Sequence, residues 1–408
     1  MKLQDLHNGH LLAISAFFLP TLAVYLSGFL TPLLILMALA ILGLSFRPNA
    51  RRLKISWIGA AFFGAIALWG VVTAFWSVAP ERSLSQAFDL ISLGACGMVL
   101  LAGARDLKPH ERSLLGPALL AGMGIATLFI AIEVATDLAT YHLYSSSWGV
   151  GSPDNTIFNR WTTVFALLVW PVLLWIEPRH RFRIAATVFV LSLVVLAQLE
   201  NAASLLALLL GTLVFLPSLR FPKRVAIALI CLTMAGTALA PWLPLLLPDP
   251  KKIWVAMPNL PTSAIHRIYI WRFVAERIEE RPLLGWGLDT SRNIPDRTRL
   301  IQNVGEGSDI LPLHPHNAAM QWWLETGLVG AVICSLFMVW LFVMVLRRRM
   351  ARYSNAVFNG AMVTGIVAAS LSYGIWQAWW ITTLFFVAAI LLGIAGERDA
   401  TPSPKSAP

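Results

Sequence analysis

The sequence has few charged residues and few cysteines. Only 13% of its 408 residues are charged, against about 25% in an average soluble domain, and this excludes a soluble globular domain of any size. The three cysteines, Cys96, Cys231 and Cys334, lie in separate apolar runs. They therefore form neither a disulfide framework nor a zinc-ligand spacing. No cleavable signal peptide is evident, because the first apolar run leads straight into a second and predicts a retained helix.

Apolar residues make up 57% of the chain. They are grouped in runs of about 20 residues, which is the length needed to cross a bilayer. Twelve such runs predict an all-α polytopic membrane protein. They lie near residues 11–28, 29–46, 57–76, 86–104, 114–136, 161–176, 184–199, 202–219, 225–247, 318–346, 356–373 and 376–396. The run 161–176 is short for a full crossing, so its helix could extend back into the preceding loop.

The distribution of lysine and arginine predicts the orientation of these helices. Every second loop is basic, as at 47–56, 105–113 and 347–352, and the short loops between them are nearly bare of positive charge. Cytoplasmic loops carry the excess of Lys and Arg, so both termini are expected in the cytoplasm. The net charge of +10 is then mainly a topology signal, which removes the main reason to expect nucleic-acid binding.

One long segment, residues 248–315, breaks the alternation of basic and bare loops. It falls on the outer face yet carries both signs of charge in nearly equal number, and long loops cross the membrane largely regardless of charge. Its apolar and polar positions at 263–281 predict an amphipathic helix, capped by Ser263 and ended by Pro282. Residues 285–287 predict a turn, and 291–312 show no clear period. The predicted organisation is helices one to nine in 1–247, the loop domain in 248–316, helices ten to twelve in 317–396, and a disordered cytoplasmic tail in 397–408.

Two histidines stand at the junction between this loop and the next apolar run. His316 could act as a general base at the membrane edge, with Asn317 orienting it or the substrate. The alternative is a loop histidine beside an asparagine that caps the helix beginning at Ala318. His314 also invites a metal interpretation, but a His-Pro-His pair without nearby carboxylates is a weak signal for zinc or magnesium.

Three arginines could hold an anionic group. Arg160 lies where an outer loop enters an apolar helix, so it could either snorkel to the interface or clamp a diphosphate through its planar fork. Arg267 and Arg272 lie five residues apart on the predicted amphipathic helix, which is not one helical stripe. Pairing with nearby glutamates is an equally simple explanation for them. Glu325, within the following apolar run, could hydrogen-bond inside the bundle or orient a substrate.

The histidine segment resembles the signature of a known family. The stretch L-H-P-H-N-A-A-M-Q-W-W-L-E-T-G-L-V-G is similar to that of the O-antigen ligase and polymerase family of bacterial inner membranes, with its histidine-asparagine pair followed by Glu-x-Gly. Upstream, H-R-I-Y-I-W-R-F-V-A-E-R-I-E-E-R-P-L-L-G-W-G resembles the loop helix of the same family, and F-N-R-W resembles a further segment. Together the motifs cover residues 159 to about 330.

The resemblance implies an integral-membrane, GT-C-like glycosyltransferase of about twelve transmembrane helices with one large periplasmic loop. The donor would be a glycan on undecaprenyl diphosphate and the acceptor a sugar hydroxyl of lipid A–core. His316 matches the essential histidine, and Arg160 and Arg267 match positions that contact the diphosphate. His314, Asn317 and Arg272 are further candidates for substrate binding. No cofactor or metal is expected, since arginines would offset the diphosphate charge.

Two alternatives stay open at this point. Within the family, a Wzy-type polymerase would use a second lipid-linked glycan as acceptor. From another class, a transporter or flippase is possible, although such proteins often show internal repeats or broken helices, neither of which is visible here. One departure concerns the turn between the seventh and eighth apolar runs, where many members have Ser-Arg. Here Glu200-Asn201 occupies that turn without an arginine.

Overall fold

A computed structural model describes most of the chain. The described residues are 5–48, 50, 52–148, 158–176, 178–199, 201–301, 308–348 and 350–396, and the side chains of 144–148 and 178–182 are outside the description. Glu200 and the predicted disordered tail at 397–408 lie outside the described residues. Within the described part the protein is all-α, and the only β pairing there is one isolated bridge between Leu300 and Asp309.

Seventeen α-helices are found in the described residues. They are α1 (Asn8–Tyr25), α2 (Leu30–Ser45), α3 (Trp57–Thr73), α4 (Pro80–Arg105), α5 (Pro109–Arg112), α6 (Leu115–Ala135), α7 (Ala139–Trp148), α8 (Asn159–Ile176), α9 (Pro178–Ala197), α10 (Ala202–Arg220), α11 (Pro222–Leu239), α12 (Leu243–Leu246), α13 (Pro250–Ala256), α14 (Thr262–Glu280), α15 (Ala318–Arg347), α16 (Arg352–Leu371) and α17 (Ala378–Ala395).

The described part holds ten helical segments long and apolar enough to cross a membrane. Two shorter apolar helices, Trp57–Thr73 and Arg183–Ala197, coincide with two further predicted runs. The predicted class, an all-α multi-pass membrane protein, is therefore confirmed, while the count of twelve crossings and the side of the long loop stay predictions. The single run predicted at 225–247 was too long. Helix α11 ends at Leu239, and the separate α12 follows Pro241 and contains Pro244.

Helix α8 lies at the centre of the bundle, with α16 and α17 packed against it. Trp161 and Trp170 on α8 are completely buried. A helix that is apolar on all sides is expected in such a position. Trp170 Nε1 donates a 2.8 Å hydrogen bond to Thr364 Oγ1 of α16, so a polar contact ties the two helices inside the apolar core.

Helix α15 is broken at Gly327, which has φ +61° and ψ −164°. The single continuous helix predicted at 318–346 was therefore wrong. Thirty helical residues would span about 45 Å, more than the roughly 30 Å of a hydrocarbon core. The break separates a buried first part, residues 318–326, from the part that continues across the bundle.

The predicted turn at 285–287 exists and docks on this break. The backbone N–H of Trp286 donates to the carbonyl of Leu324 at 2.9 Å, and that of Gly287 donates to the carbonyl of Glu325 at 2.8 Å. A β-carbon on Gly285, whose φ is +69°, would lie 2.5 Å from the Glu325 carbonyl oxygen. Glycine is required there for the two backbone segments to come this close.

The predicted amphipathic helix of the long segment is α14. It begins at Thr262 after Pro261, so Ser263 does not cap it, and it ends before Pro282 as predicted. Its residues Ile265, Phe273 and Ile278 are buried. Between α14 and the histidines, the only helical element in the described residues is a short 3₁₀ turn, Ser291–Asn293.

Candidate functional site

The site is built around residues 371–377, from the last residue of α16 to the residue before α17, which we call the linker. Arg267 Nε of α14 donates to the carbonyl oxygen of Leu371 at 3.1 Å. His316 Nδ1 lies 2.8 Å from the carbonyl oxygen of the next residue, Ser372. Two residues that are far apart in the sequence from the linker therefore bind successive carbonyls of it.

The hydrogen bond to Ser372 fixes the tautomer of His316. A carbonyl oxygen can only accept, so Nδ1 must carry the proton and Nε2 keeps its lone pair. The backbone of His316 has φ +51°, a left-handed conformation uncommon outside glycine. It is stabilised by its neighbour, because the N–H of His316 donates to Nδ1 of His314 at 3.2 Å, and the Trp271 indole donates to the carbonyl of Pro315 at 2.9 Å.

Both imidazoles are neutral at neutral pH. Burial lowers the pKa of His316 to about 4, helped by the charge of Arg267 and opposed by the hydrogen bond to Ser372. Burial lowers the pKa of His314 to about 3, and the charges of His316 and nearby arginines act in the same direction. A neutral imidazole with a free Nε2 can accept a proton, and an approaching anion would make it more basic.

Arg267 is partly buried beside the histidines. Besides Leu371 it donates through Nη1 to the carbonyl of Ser263 at 3.0 Å, and burial lowers the pKa of its guanidinium below the usual range. No carboxylate partner for it is found among the described residues. A guanidinium bonded only to neutral carbonyls retains its full charge for an anionic ligand.

Arg160, at the start of α8, lies beside Trp379, two residues after the linker. Its Nη1 donates to Ser27 Oγ at 2.8 Å, and its guanidinium carbon lies 5.4 Å from the centre of the Trp379 ring. Its charge acts on Tyr373 of the linker, whose pKa burial nevertheless raises to about 12. The Tyr373 hydroxyl donates to the carbonyl of Asn159 at 2.6 Å, so the linker also anchors the first turn of α8.

Asn317 and Arg272 have ordinary structural partners. The Asn317 side chain accepts the N–H of Met320 at 3.1 Å and caps α15, as the capping interpretation predicted. Arg272 Nε lies 3.8 Å from Glu276 Oε1 on the exposed face of α14. The spacing of Arg267 and Arg272 predicted that they need not act together, and their side chains indeed contact different parts of the structure.

Glu325 is completely buried and accepts hydrogen bonds from several elements. Two donors are in the linker and in α15, namely the Trp376 indole at 2.6 Å and the Gln321 amide at 3.0 Å. Two more are the backbone N–H of Asp289 at 2.8 Å and the hydroxyl of Ser291. The carboxylate thus joins the linker, the first part of α15 and the segment after α14, in keeping with the bundle hydrogen bonding suggested by its position.

The linker itself was not predicted as part of the site. Its sequence, S-Y-G-I-W-Q, interrupts an otherwise apolar stretch, and polar groups at the edge of the hydrocarbon are costly unless they serve structure or function. That interruption was available as a signal. Gly374 shows how tightly the linker packs, since a β-carbon there would lie 3.2 Å from Cδ2 of His314.

Part of the chain that forms this site matches a known family. Residues 187–335 match the family model described as O-antigen ligase. This part of the chain is similar to the O-antigen ligase family. The matched region runs from α9 into α15 and includes Arg267, His314 and His316, whereas Arg160 and the linker lie outside it.

Three proteins of Rickettsia species are similar to most of this chain. A protein of Rickettsia conorii is 25% identical over 349 residues, which is 84% of this chain and 82% of the relative. Proteins of Rickettsia felis and Rickettsia bellii are 25% and 26% identical over 79% of this chain and 77% of their own length. Each of the three carries a provisional name, polysaccharide ligase. The similarity to these relatives thus extends well beyond the region that matches the family model.

Proposed function

We propose that this protein transfers a glycan from undecaprenyl diphosphate to a sugar hydroxyl of lipid A–core, on the periplasmic face of the bacterial inner membrane. The observation that carries the proposal is the convergence of α8, α14 and the histidine segment on the linker. Three successive linker residues are involved. Arg267 and His316 hydrogen-bond to the carbonyls of Leu371 and Ser372, and the charge of Arg160 acts on Tyr373. The similarity of residues 187–335 to the O-antigen ligase family model supports the proposed reaction class.

In the proposed reaction the acceptor hydroxyl oxygen bonds to the anomeric carbon of the donor sugar. The bond from that carbon to the diphosphate oxygen breaks, and undecaprenyl diphosphate leaves with the electron pair. His316 Nε2 takes the hydroxyl proton, since Nδ1–H is held by Ser372. A positioned base of this kind contributes roughly 100- to 10,000-fold to a rate.

The two arginines are proposed to hold the diphosphate. Arg267 has no carboxylate partner among the described residues, and the planar fork of Arg160 can pair with two phosphate oxygens at once. Their charges would stabilise the leaving group as its negative charge develops, which is the role a metal ion has in other phosphate chemistry. His314 is proposed to hold the backbone of His316 in its left-handed conformation.

A reconstituted assay tests this proposal. Purified protein in liposomes receives an undecaprenyl-diphosphate-linked glycan and lipid A–core, and glycan attachment to lipid A–core is measured. Joining of two lipid-linked glycans in the absence of lipid A–core would instead indicate a polymerase. Movement of the donor across the bilayer without bond formation would indicate a flippase and contradict the proposal.

Arginine variants refine the assay. Arg267→Ala and Arg160→Ala are expected to raise the KM for the donor and lower kcat, because a diphosphate contact strengthens as the leaving group forms. Arg272→Ala is the matched control. It removes a guanidinium from the same helix as Arg267, but that guanidinium is paired with Glu276. Equal loss of activity in all three variants would argue for a general charge effect and against a specific clamp.

A further inference from the structure

A second polar cluster lies far from the linker. It is formed by His7, just before α1, and by His110 and Glu111 of α5, whose ligand atoms all lie within 4.8 Å of one another. Helix α1 separates this cluster from Ser27, the partner of Arg160. Eighteen helical residues span about 27 Å, so the cluster and the proposed transfer site lie at opposite ends of α1 and near opposite membrane faces.

The geometry of the cluster fits a metal ion. His7 Nδ1 lies 3.2 Å from Glu111 Oε1, close to the roughly 3.3 Å edge of a tetrahedral zinc site with bonds of about 2.0–2.1 Å. His110 is exposed, so its ring can rotate to complete the set. Glu111 is already oriented, because its other oxygen accepts the backbone N–H of Lys108 at 2.6 Å, the kind of outer contact that supports metal ligands.

Two ring nitrogens at this cluster lack a hydrogen bond. Nδ1 of His7 lies 3.2 Å from Glu111 Oε1 but, like the buried Nδ1 of His10, it makes no hydrogen bond within the described residues. The two rings lie against each other, with centroids 3.8 Å apart. Buried polar atoms normally have a partner, and imidazole nitrogens are common ligands of transition metals.

We propose that His7, His110 and Glu111 bind a divalent transition-metal ion, with Zn²⁺ as the probe of choice, and that this ion ties the start of α1 to α5. Two imidazoles and one carboxylate are a ligand set that Zn²⁺ accepts, with a fourth position open to water. The ion takes no part in glycan transfer, because it is separated from the linker by the length of α1. Its effect is to stabilise the folded protein by binding to it.

Zinc titration of the full chain tests this proposal. The protein is purified in detergent through a tag without histidines, treated with EDTA, freed of chelator and titrated with Zn²⁺ against a zinc-sensitive dye. The expected result is one ion bound per chain. His110→Ala, which removes an exposed ring, is expected to weaken Zn²⁺ binding by at least about 100-fold, since even supporting contacts are worth 10- to 100-fold.

Controls separate a site from general histidine binding. His142→Ala, which removes an exposed histidine of α7, should leave Zn²⁺ affinity unchanged. The unfolding temperature in EDTA should be the same for His110→Ala and the wild type, and Zn²⁺ should raise it only in the wild type. Binding of Zn²⁺ to His110→Ala as tightly as to the wild type would overturn the proposal. So would a wild type that binds no Zn²⁺.

The activity assay keeps this inference separate from the proposed transfer reaction. Glycan transfer measured in EDTA at low temperature should equal that in Zn²⁺, because the ion is remote from the linker. Transfer that is as sensitive to EDTA in His110→Ala as in the wild type would place the metal elsewhere and contradict its assignment to this cluster. Absence of transfer under every condition would count against the proposed function only, since zinc binding is measured without it.

Discussion

Nδ1 of His316 and the carbonyl oxygen of Ser372 are 2.8 Å apart, and this contact leaves the other ring nitrogen free to accept a proton. The carbonyl can only accept a hydrogen bond, so the proton of the neutral ring stays on Nδ1. The same relationship also suggests how to remove the proposed base while keeping the backbone in place.

Replacing His316 by asparagine tests the role of Nε2 as a base separately from the hydrogen bond to Ser372. The new side-chain amide could still donate to Ser372, since Nδ2 of asparagine and Nδ1 of histidine are equally far along the side chain, but it offers no equivalent of Nε2. We expect His316→Asn to lower kcat by roughly 100- to 10,000-fold with normal membrane insertion. Turnover by His316→Asn near the wild-type value, together with an inactive His316→Ala, would show that the residue only positions the loop.

The two histidines should make stability depend on pH. Burial lowers the pKa of His316 from 6.5 to about 4 and that of His314 from 6.5 to about 3. Below pH 6.5 these histidines therefore bind protons in the unfolded chain but stay neutral in the folded chain. Stability is therefore expected to fall as pH falls from about 6.5 towards 4, with each histidine adding a slope of up to about 1.4 kcal/mol per pH unit. Unfolding temperatures of the wild type and His314→Gln measure this, and the variant should show the shallower dependence.

Activity should persist at lower pH than is usual for an enzyme with a histidine base. The acid limb of kcat/KM reports the pKa of the free enzyme, and His316 loses its proton-accepting form only near pH 4. We expect kcat/KM for the donor to stay level down to roughly one pH unit above that pKa. An acid limb centred near the ordinary histidine value of 6.5 would mean that His316 is not the group whose ionisation limits the reaction, or that it is far more solvated than its burial indicates.

Glu325→Gln should destabilise the protein. The hydrogen-bond partners of the carboxylate are all donors, from Trp376, Gln321, Asp289 and Ser291. The side-chain NH₂ of glutamine is also a donor, so it would leave at least one of these donors without an acceptor. Leaving buried donors unsatisfied costs about 1–3 kcal/mol each. Thermal unfolding in detergent measures the loss. Glu276→Gln, at an exposed pair with a 3.8 Å separation, should change the unfolding temperature little.

Gly327→Ala should also destabilise it, by a backbone mechanism. The conformation φ +61°, ψ −164° is essentially restricted to glycine, and a β-carbon would clash with the Leu283 carbonyl oxygen. A marked drop in unfolding temperature and in yield is expected. Gly64→Ala in α3, where nothing lies within 4 Å of a new β-carbon, is the control and should be neutral or slightly stabilising.

Apolar run length and loop charge were enough to predict the class of fold and most helix positions. The helices around α8 begin and end within a few residues of the predicted runs because span length is set by the bilayer. The break at Gly327 was missed, since a single glycine in an apolar run is compatible with a continuous helix. Only its packing against Leu283 and Leu284 shows why the chain turns there.

The candidate residues were found from the sequence mainly through family resemblance. Composition and spacing alone allowed a purely structural role for each candidate residue. For Asn317 and Arg272 the structure contains that predicted structural contact, a helix cap and an ion pair. The role of the linker could not be predicted, because it depends on contacts across sequence separations of 56 residues for His316 and 104 for Arg267. Such long-range pairings have no local periodicity from which they could be predicted.

The linker also limits how this protein can change over time or by design. Its residues from Leu371 to Trp376 each meet a different partner, in order along the backbone. Inserting or deleting one residue would move every later partner out of reach, so homologues should tolerate altered side chains here far better than an altered length. A chimaera that exchanges the last helix should therefore be joined after Gln377 and not within the connection.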